Sequence, residues 1–129
     1  MATYGHCLCG ATHFHIDLER VFDSDICHCE SCRRATGAPL VASFALPDTA
    51  WRWRGQVPGR YASSTGVTRY FCTTCGTPLA YQTTDLPGET HFHTATLNEP
   101  EHIPPTRQSH ADEALDWAAG MLSLPKRKR

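Results

Sequence analysis

The pattern of this chain predicts a mainly β domain held together by thiol-bound metal, and three observations carry that expectation. Apolar and polar residues alternate with a period of two in stretches such as Ala11-Thr12-His13-Phe14-His15-Ile16 and Trp51-Arg52-Trp53-Arg54, the signature of half-buried strands. Turn-forming residues punctuate these stretches at Gly55-Gln56-Val57-Pro58-Gly59, Ser64-Thr65-Gly66 and Asp85-Leu86-Pro87-Gly88. Seven cysteines fall in tight groups rather than being scattered. An odd count, with two of them one residue apart, argues against a disulfide scaffold and for metal ligation.

Taken in order, Gly5-His6-Cys7-Leu8-Cys9-Gly10 opens with a thiol pair flanked by glycines that let the backbone turn tightly around one ion. In the strand that follows, Thr12, Phe14 and Ile16 share the buried face, with His13 and His15 opposite. Leu18 to Ile26 is read as strand or loop leading to Cys27, and Arg33 to Gly37 as a short helical turn stopped by glycine. Leu40 to Leu46 is a buried strand bounded by Pro39 and Pro47. The Trp51/Trp53 pair marks a core-facing strand. Tyr61 to Ser63 and Val67 to Phe71 form strands around a turn, and Leu79 to Gln82 and His91 to Leu97 continue the series. Glu99 to Ser109, with three prolines, is expected to be loop. Asp112 to Gly120 has acidic residues first and glycine last, the pattern of a short helix, with Trp117 packing it onto the sheet.

The chain has 129 residues, enough for one domain over 1–125, with a basic tail at 126–129 expected to be solvated. A formal net charge of −1 argues against a nucleic-acid surface, which needs clustered positive charge. No apolar run approaches the roughly 20 residues of a membrane span. Met1-Ala2-Thr3-Tyr4 does not begin an export signal, so a reducing, cytoplasmic setting that keeps thiols free is expected.

The densest chemistry is Cys27-His28-Cys29-Glu30-Ser31-Cys32. Tetrahedral zinc with Zn–S bonds of about 2.3 Å separates its sulfurs by roughly 3.8 Å, which one tight turn of a C-x-C-x-x-C run can satisfy. Three ligands with a fourth position open is the arrangement of a working zinc. Cys7/Cys9 and Cys72/Cys75 are half-sites, the latter a C-x-x-C-G knuckle. Joined, they close one four-sulfur site and leave Cys27, Cys29 and Cys32 intact as the other. Spacing alone leaves other divisions open, because either pair could contribute to the central cluster. A redox role for Cys72-Thr73-Thr74-Cys75 would want a strand-to-helix transition, and the surrounding strands with Pro78 do not offer one.

The order C-x-C-G, then C-H-C-x-x-C-R-R-x-T-G, then Phe-C-x-x-C-G-T resembles the glutathione-dependent formaldehyde-activating enzyme family, whose relatives include the centromere protein V group. The resemblance runs through Gly5 to Phe14, Cys27 to Gly37, Arg69 to Pro78 and the His110 to Pro125 region. It implies an Mss4-like fold of small antiparallel sheets with short helical turns. It also implies two zinc ions, a structural one on Cys7, Cys9, Cys72 and Cys75 and a catalytic one on Cys27, Cys29 and Cys32. The implied activity is a carbon–sulfur lyase reaction in which glutathione or a similar thiol adds to formaldehyde or another small aldehyde, the family product being S-(hydroxymethyl)glutathione.

The chemistry of the donor set agrees with that expectation. A zinc already carrying three thiolates is a poor generator of hydroxide but deprotonates a bound thiol outright. A free thiol of pKa about 8.5 is only a few per cent ionised at neutral pH, so full ionisation raises the reactive fraction roughly 30-fold, about 2 kcal/mol of barrier. Arg33 and Arg34 beside the cluster are candidates to grip substrate carboxylates. Thr36 and Gly37 are candidates to line the pocket, and His28 is expected to turn away from the metal. The rival expectation is a non-catalytic zinc-stabilised module that binds protein or nucleic acid.

Overall fold

A computed structural model describes residues 2–128; Arg129, the last residue of the basic tail, lies outside the described residues, as does Met1. Among the described residues, ten strands form two sheets. Strands β1 (Ala2–His6), β2 (Thr12–Asp17) and β5 (Trp51–Gly55) make a three-stranded antiparallel sheet in the order β1-β2-β5. The larger sheet contains β3 (Phe22–Cys27), β4 (Val41–Pro47), β6 (Gly59–Ser64), β7 (Val67–Phe71), β8 (Pro78–Thr83), β9 (Glu89–His93) and β10 (Arg107–Ser109), in the order β10-β3-β4-β9-β8-β7-β6. The fold is mainly β, as expected. One sheet is wider than the expected small sheets, and it carries a parallel edge pair, β10 on β3.

The period-two pattern does the organising. On β2, Thr12, Phe14 and Ile16 are buried while His13 and His15 are half-buried on the other face. Phe14 stacks on Phe92 of β9 with ring centroids 4.5 Å apart, Phe92 stacks on Phe44 of β4, and Trp51 and Trp53 of β5 close over the same ring. These rings join the two sheets, so the tryptophan pair serves the core. Gly5 of β1 lies against the Phe14 ring so closely that a Cβ there would sit 2.3 Å from Cζ.

Because Phe44 and Phe92 face the smaller sheet, their neighbours in sequence face away from it. Val41 and Ser43 of β4, Cys27 of β3 and His91 and His93 of β9 therefore belong to the opposite, polar face. Cross-strand pairing adds Tyr81 opposite His91, Arg69 opposite Tyr81 and Tyr61 opposite Arg69.

Four expectations are corrected. The segment read as strand from His91 to Leu97 is strand only to His93 and then turns as a 3-10 segment over Thr94–Thr96. Glu99 to Ser109 is not all loop: it holds a 3-10 turn at Pro100–His102 and the three-residue β10. Asp112 to Gly120 forms no α-helix but two 3-10 pieces, Ala111–Glu113 and Ala118–Ser123. Trp117 does not pack onto the sheet; it is 59% exposed. No helix among the described residues is long and apolar enough to cross a membrane.

Candidate active site

Two groups of sulfurs converge. Cys7, Cys9, Cys72 and Cys75 bring their Sγ atoms within 4.8 Å of one another, and Cys27, Cys29 and Cys32 do the same. The first group is built from two matching turns. Cys7 N donates to Thr12 O at 3.0 Å and Gly10 N to Cys7 O at 3.1 Å, while Cys72 N donates to Thr77 O at 3.0 Å and Gly76 N to Cys72 O at 2.8 Å. Gly10 and Gly76 take positive φ, 80° and 82°, which only glycine adopts without strain. The turns dock through Leu8 N to Thr77 Oγ1 at 3.0 Å. Sulfur separations of 3.6 Å for Cys7–Cys9 and 3.8 Å for Cys9–Cys72 match the tetrahedral edge of roughly 3.8 Å.

Backbone amides point at these sulfurs as they do at thiolates. Thr12 N reaches Cys7 Sγ, and Thr74 N and Cys75 N both reach Cys72 Sγ, each at 3.4 Å. The Cys75 amide is the main reason the Cys72 thiol is held below its ordinary range. The Thr77 hydroxyl, 3.2 Å from Cys75 Sγ, brings that thiol down to about 5. A donor set of four sulfurs, two of them favoured as thiolates, fits a soft divalent ion.

The second group stands where β3 ends and helix α1 (Glu30–Thr36) begins. Cys29 is the N-cap: its Sγ accepts from Cys32 N at 3.4 Å, so one atom both starts the helix and faces the cluster. Gly37 ends the helix at φ 72°, its N–H donating to Arg33 O at 2.7 Å. Cys27 and Cys29 sulfurs lie 3.3 Å apart. Hydrogen bonding from Cys32 is the largest influence holding the Cys27 thiol down, to about 5, and the same pairing with burial pushes Cys32 up. Three thiols packed this closely oppose one another's ionisation, which a bound cation would relieve.

His28 faces away from the sulfurs, with Nε2 2.7 Å from Gln108 Oε1 on β10. Arg33 Nε donates to His28 O at 3.2 Å. Arg34 is exposed and pairs with Glu30 at 2.7 Å. The Thr36 hydroxyl bridges Cys32 O at 2.8 Å and Ala38 N at 3.2 Å, fastening the end of the helix.

Beside α1 lies a cavity of about 680 Å³ walled by Ser31 and Arg34 of the helix and by Arg60, Arg69 and His93 of the large sheet. No Asp or Glu among the described residues lines it. A smaller hollow of about 460 Å³ over His15 and Trp51 belongs to the three-stranded sheet; neither cavity is lined by a cysteine, but the larger one takes part of its wall from the helix that carries Cys32. Sequence reading placed all seven thiols but missed Arg60, Arg69 and His93, which lie on three different strands and meet only through sheet register. Their one local signal is Arg69 standing three residues before Cys72.

Comparison with known proteins is consistent with this arrangement. A family model described as glutathione-dependent formaldehyde-activating enzyme matches residues 2–113. An uncharacterized lyase of Schizosaccharomyces pombe is 37% identical over 81 residues, 63% of this chain and 58% of that protein, so the chain spans less than two thirds of its length. The crystal structure of a Rhodobacter sphaeroides protein superposes with a TM-score of 0.64 at 27% identity, covering 82% of this chain and 99% of that one.

Proposed function

From a chain that belongs to the glutathione-dependent formaldehyde-activating enzyme family, we propose a zinc-dependent carbon–sulfur lyase that joins a small acidic thiol to a small aldehyde and splits the adduct in reverse. The observation that carries this reading is the Cys27/Cys29/Cys32 trio, three sulfurs within 4.8 Å of one another at the start of the helix whose Ser31, Arg34 and Ala35 line a carboxylate-free cavity of about 680 Å³. Cys7, Cys9, Cys72 and Cys75 are assigned a structural zinc, and Cys27, Cys29 and Cys32 a catalytic one. When bound, the second ion would supply ionisation of the substrate thiol.

The protein's own residues supply recognition. Arg34 and Arg60, both lining the cavity, are suited to the carboxylates of glutathione or a related acidic thiol, since guanidinium forks pair with carboxylates in bidentate fashion. Arg33 acts from behind by bracing the His28 carbonyl, and Thr36 and Gly37 by fixing the end of the helix that carries Cys32. Holding thiol and aldehyde side by side in a bounded cavity lowers the entropic part of the barrier, which ionisation alone leaves in place.

The test is exchange NMR on an equilibrium mixture of glutathione, formaldehyde and their adduct. Protein with two zinc ions per chain should speed exchange above the spontaneous rate, and Cys29→Ser should return it to background while keeping the fold. Exchange no faster than background with fully loaded protein would defeat the reading.

A further inference from the structure

The polar face of the large sheet holds two buried groups that the thiol chemistry leaves unused. His93 is 7% exposed, and its Nδ1 has no hydrogen-bond partner among the described residues. Arg69 is half-buried as a residue, but its Nη1 atom is buried and also has no hydrogen-bond partner among the described residues. A buried polar atom without a partner costs roughly 1–3 kcal/mol, and native proteins leave few of them. Two in the lining of one cavity mark a place prepared for a ligand atom.

Both side chains are held in position by other contacts. Arg69 Nε donates to Ser63 Oγ at 3.2 Å, and its guanidinium lies 5.6 Å from the centre of the Tyr81 ring. Tyr81 in turn stacks on His91 at 4.8 Å. Tyr81 also lies close enough to Cys27 and Cys32 to respond to their charge as well as to that of Arg69. Arg69 and the Cys27/Cys32 pair thus lie within electrostatic reach of the same tyrosine ring, and Arg69 lies within reach of His93. Burial, with the Arg69 charge adding to it, holds His93 down to about 4, so its imidazole is neutral at physiological pH and carries a single N–H. A neutral imidazole donates from the one nitrogen that carries its proton, and with that proton on Nδ1 it is suited to stabilising an oxygen on which charge develops.

We propose that Arg69 Nη1–H and His93 Nδ1–H form an oxyanion hole for the aldehyde oxygen, which makes them catalytic residues of the carbon–sulfur reaction proposed above. In the addition, the sulfur electron pair forms the C–S bond and the C=O π pair moves onto the oxygen between the two donors. The proton lost by the thiol then neutralises the alkoxide as the adduct leaves with a hydroxyl. In cleavage the same electrons run backwards, and the donors hold the carbonyl oxygen as the thiolate departs.

This inference rests on that reading of the reaction, and formate separates the two, because it presents an anionic oxygen on a one-carbon skeleton and reacts with nothing. Titrated into the full chain carrying ¹⁵N-labelled histidine, formate should move the His93 ring signals. Arg69→Gln and His93→Gln should weaken that binding at least tenfold, whereas His91→Gln, two residues along the same strand, should stay within threefold. Arg69→Lys, which keeps the charge but loses the fork, serves as a second variant if Arg69→Gln melts early, and should also weaken formate at least tenfold. In exchange kinetics each donor variant should lower kcat on the order of 100-fold with KM for the thiol changed less than threefold, the size of effect seen on removing one oxyanion donor. Formate binding at His93 in a chain without turnover would support the oxygen site while the lyase reading fell. Turnover in a chain whose His93 signals ignore formate, or formate binding equal in all variants, would overturn the oxyanion hole and leave the lyase reading standing.

Discussion

His93 shows how one side chain can be costly to the fold and still be retained. It sits 7% exposed on β9 with its ordinary pKa of 6.5 lowered to about 4 by burial, with Arg69 adding to the effect. The unfolded chain therefore binds a proton between about pH 6.5 and pH 4 that the folded chain refuses. Stability contributed by neutral His93 is complete above pH 6.5 and is lost as pH falls across that window. From pH 7 to pH 5.5 the loss should be about 1 kcal/mol. Urea unfolding at the two pH values should show His93→Gln losing about 1 kcal/mol less than the parent, and parallel losses would mean that His93 titrates normally.

Among the elements, α1 and β10 together frame the cysteine trio. Ser109 O accepts from His28 N at 3.1 Å, Gln108 Oε1 meets His28 Nε2 at 2.7 Å, and Arg107 reaches Asp23 at 3.2 Å, so a three-residue strand braces the turn between Cys27 and Cys29. Gln108→Ala would leave the buried Nε2 of His28 without its partner, a cost of roughly 1–3 kcal/mol. The melting temperature should fall by several degrees and the visible spectrum of a cobalt-substituted trio should shift; an unchanged spectrum would detach β10 from the site. β10 could not be read from the sequence because Arg107-Gln108-Ser109 has no apolar alternation, and its strand state comes from parallel pairing with β3. The acidic start at Asp112 and Glu113 does fall in the first turn of a 3-10 piece, whereas Gly120 lies inside Ala118–Ser123 and ends nothing. So short a segment does not offset the cost of helix nucleation without a buried face, and Trp117 is exposed. The thiols and β2 were legible because their signals are local, a motif spacing and a period of two. Arg69 and His93 were not, because register across β7, β8 and β9 brings them together.

At the scale of the whole molecule, the two sheets are joined in two ways. The stack of Phe14, Phe92 and Phe44 forms the core between them. The four-sulfur cluster clips the β1–β2 turn of the small sheet to the β7–β8 turn of the large one, across 63 residues between Cys9 and Cys72. Bound metal in such a cluster contributes on the order of 10 kcal/mol to folding, as much as the entire net stability of a typical domain. The trio ties only the end of β3 to α1, so its loss leaves the sheets joined. Cys72→Ser should therefore abolish the cooperative melt and soluble yield. Cys29→Ser should melt cooperatively within several degrees of the parent, holding one metal ion fewer and keeping the Phe14–Phe92 core. Strong chelation should follow the same order, with the trio emptied first in a folded chain and unfolding tracking removal of the second ion. A folded Cys72→Ser protein beside an unfolded Cys29→Ser protein would mean that the stabilising and working sites are exchanged. The carboxylate-free cavity would then adjoin the structural ion, which cannot accept a substrate without letting the sheets part.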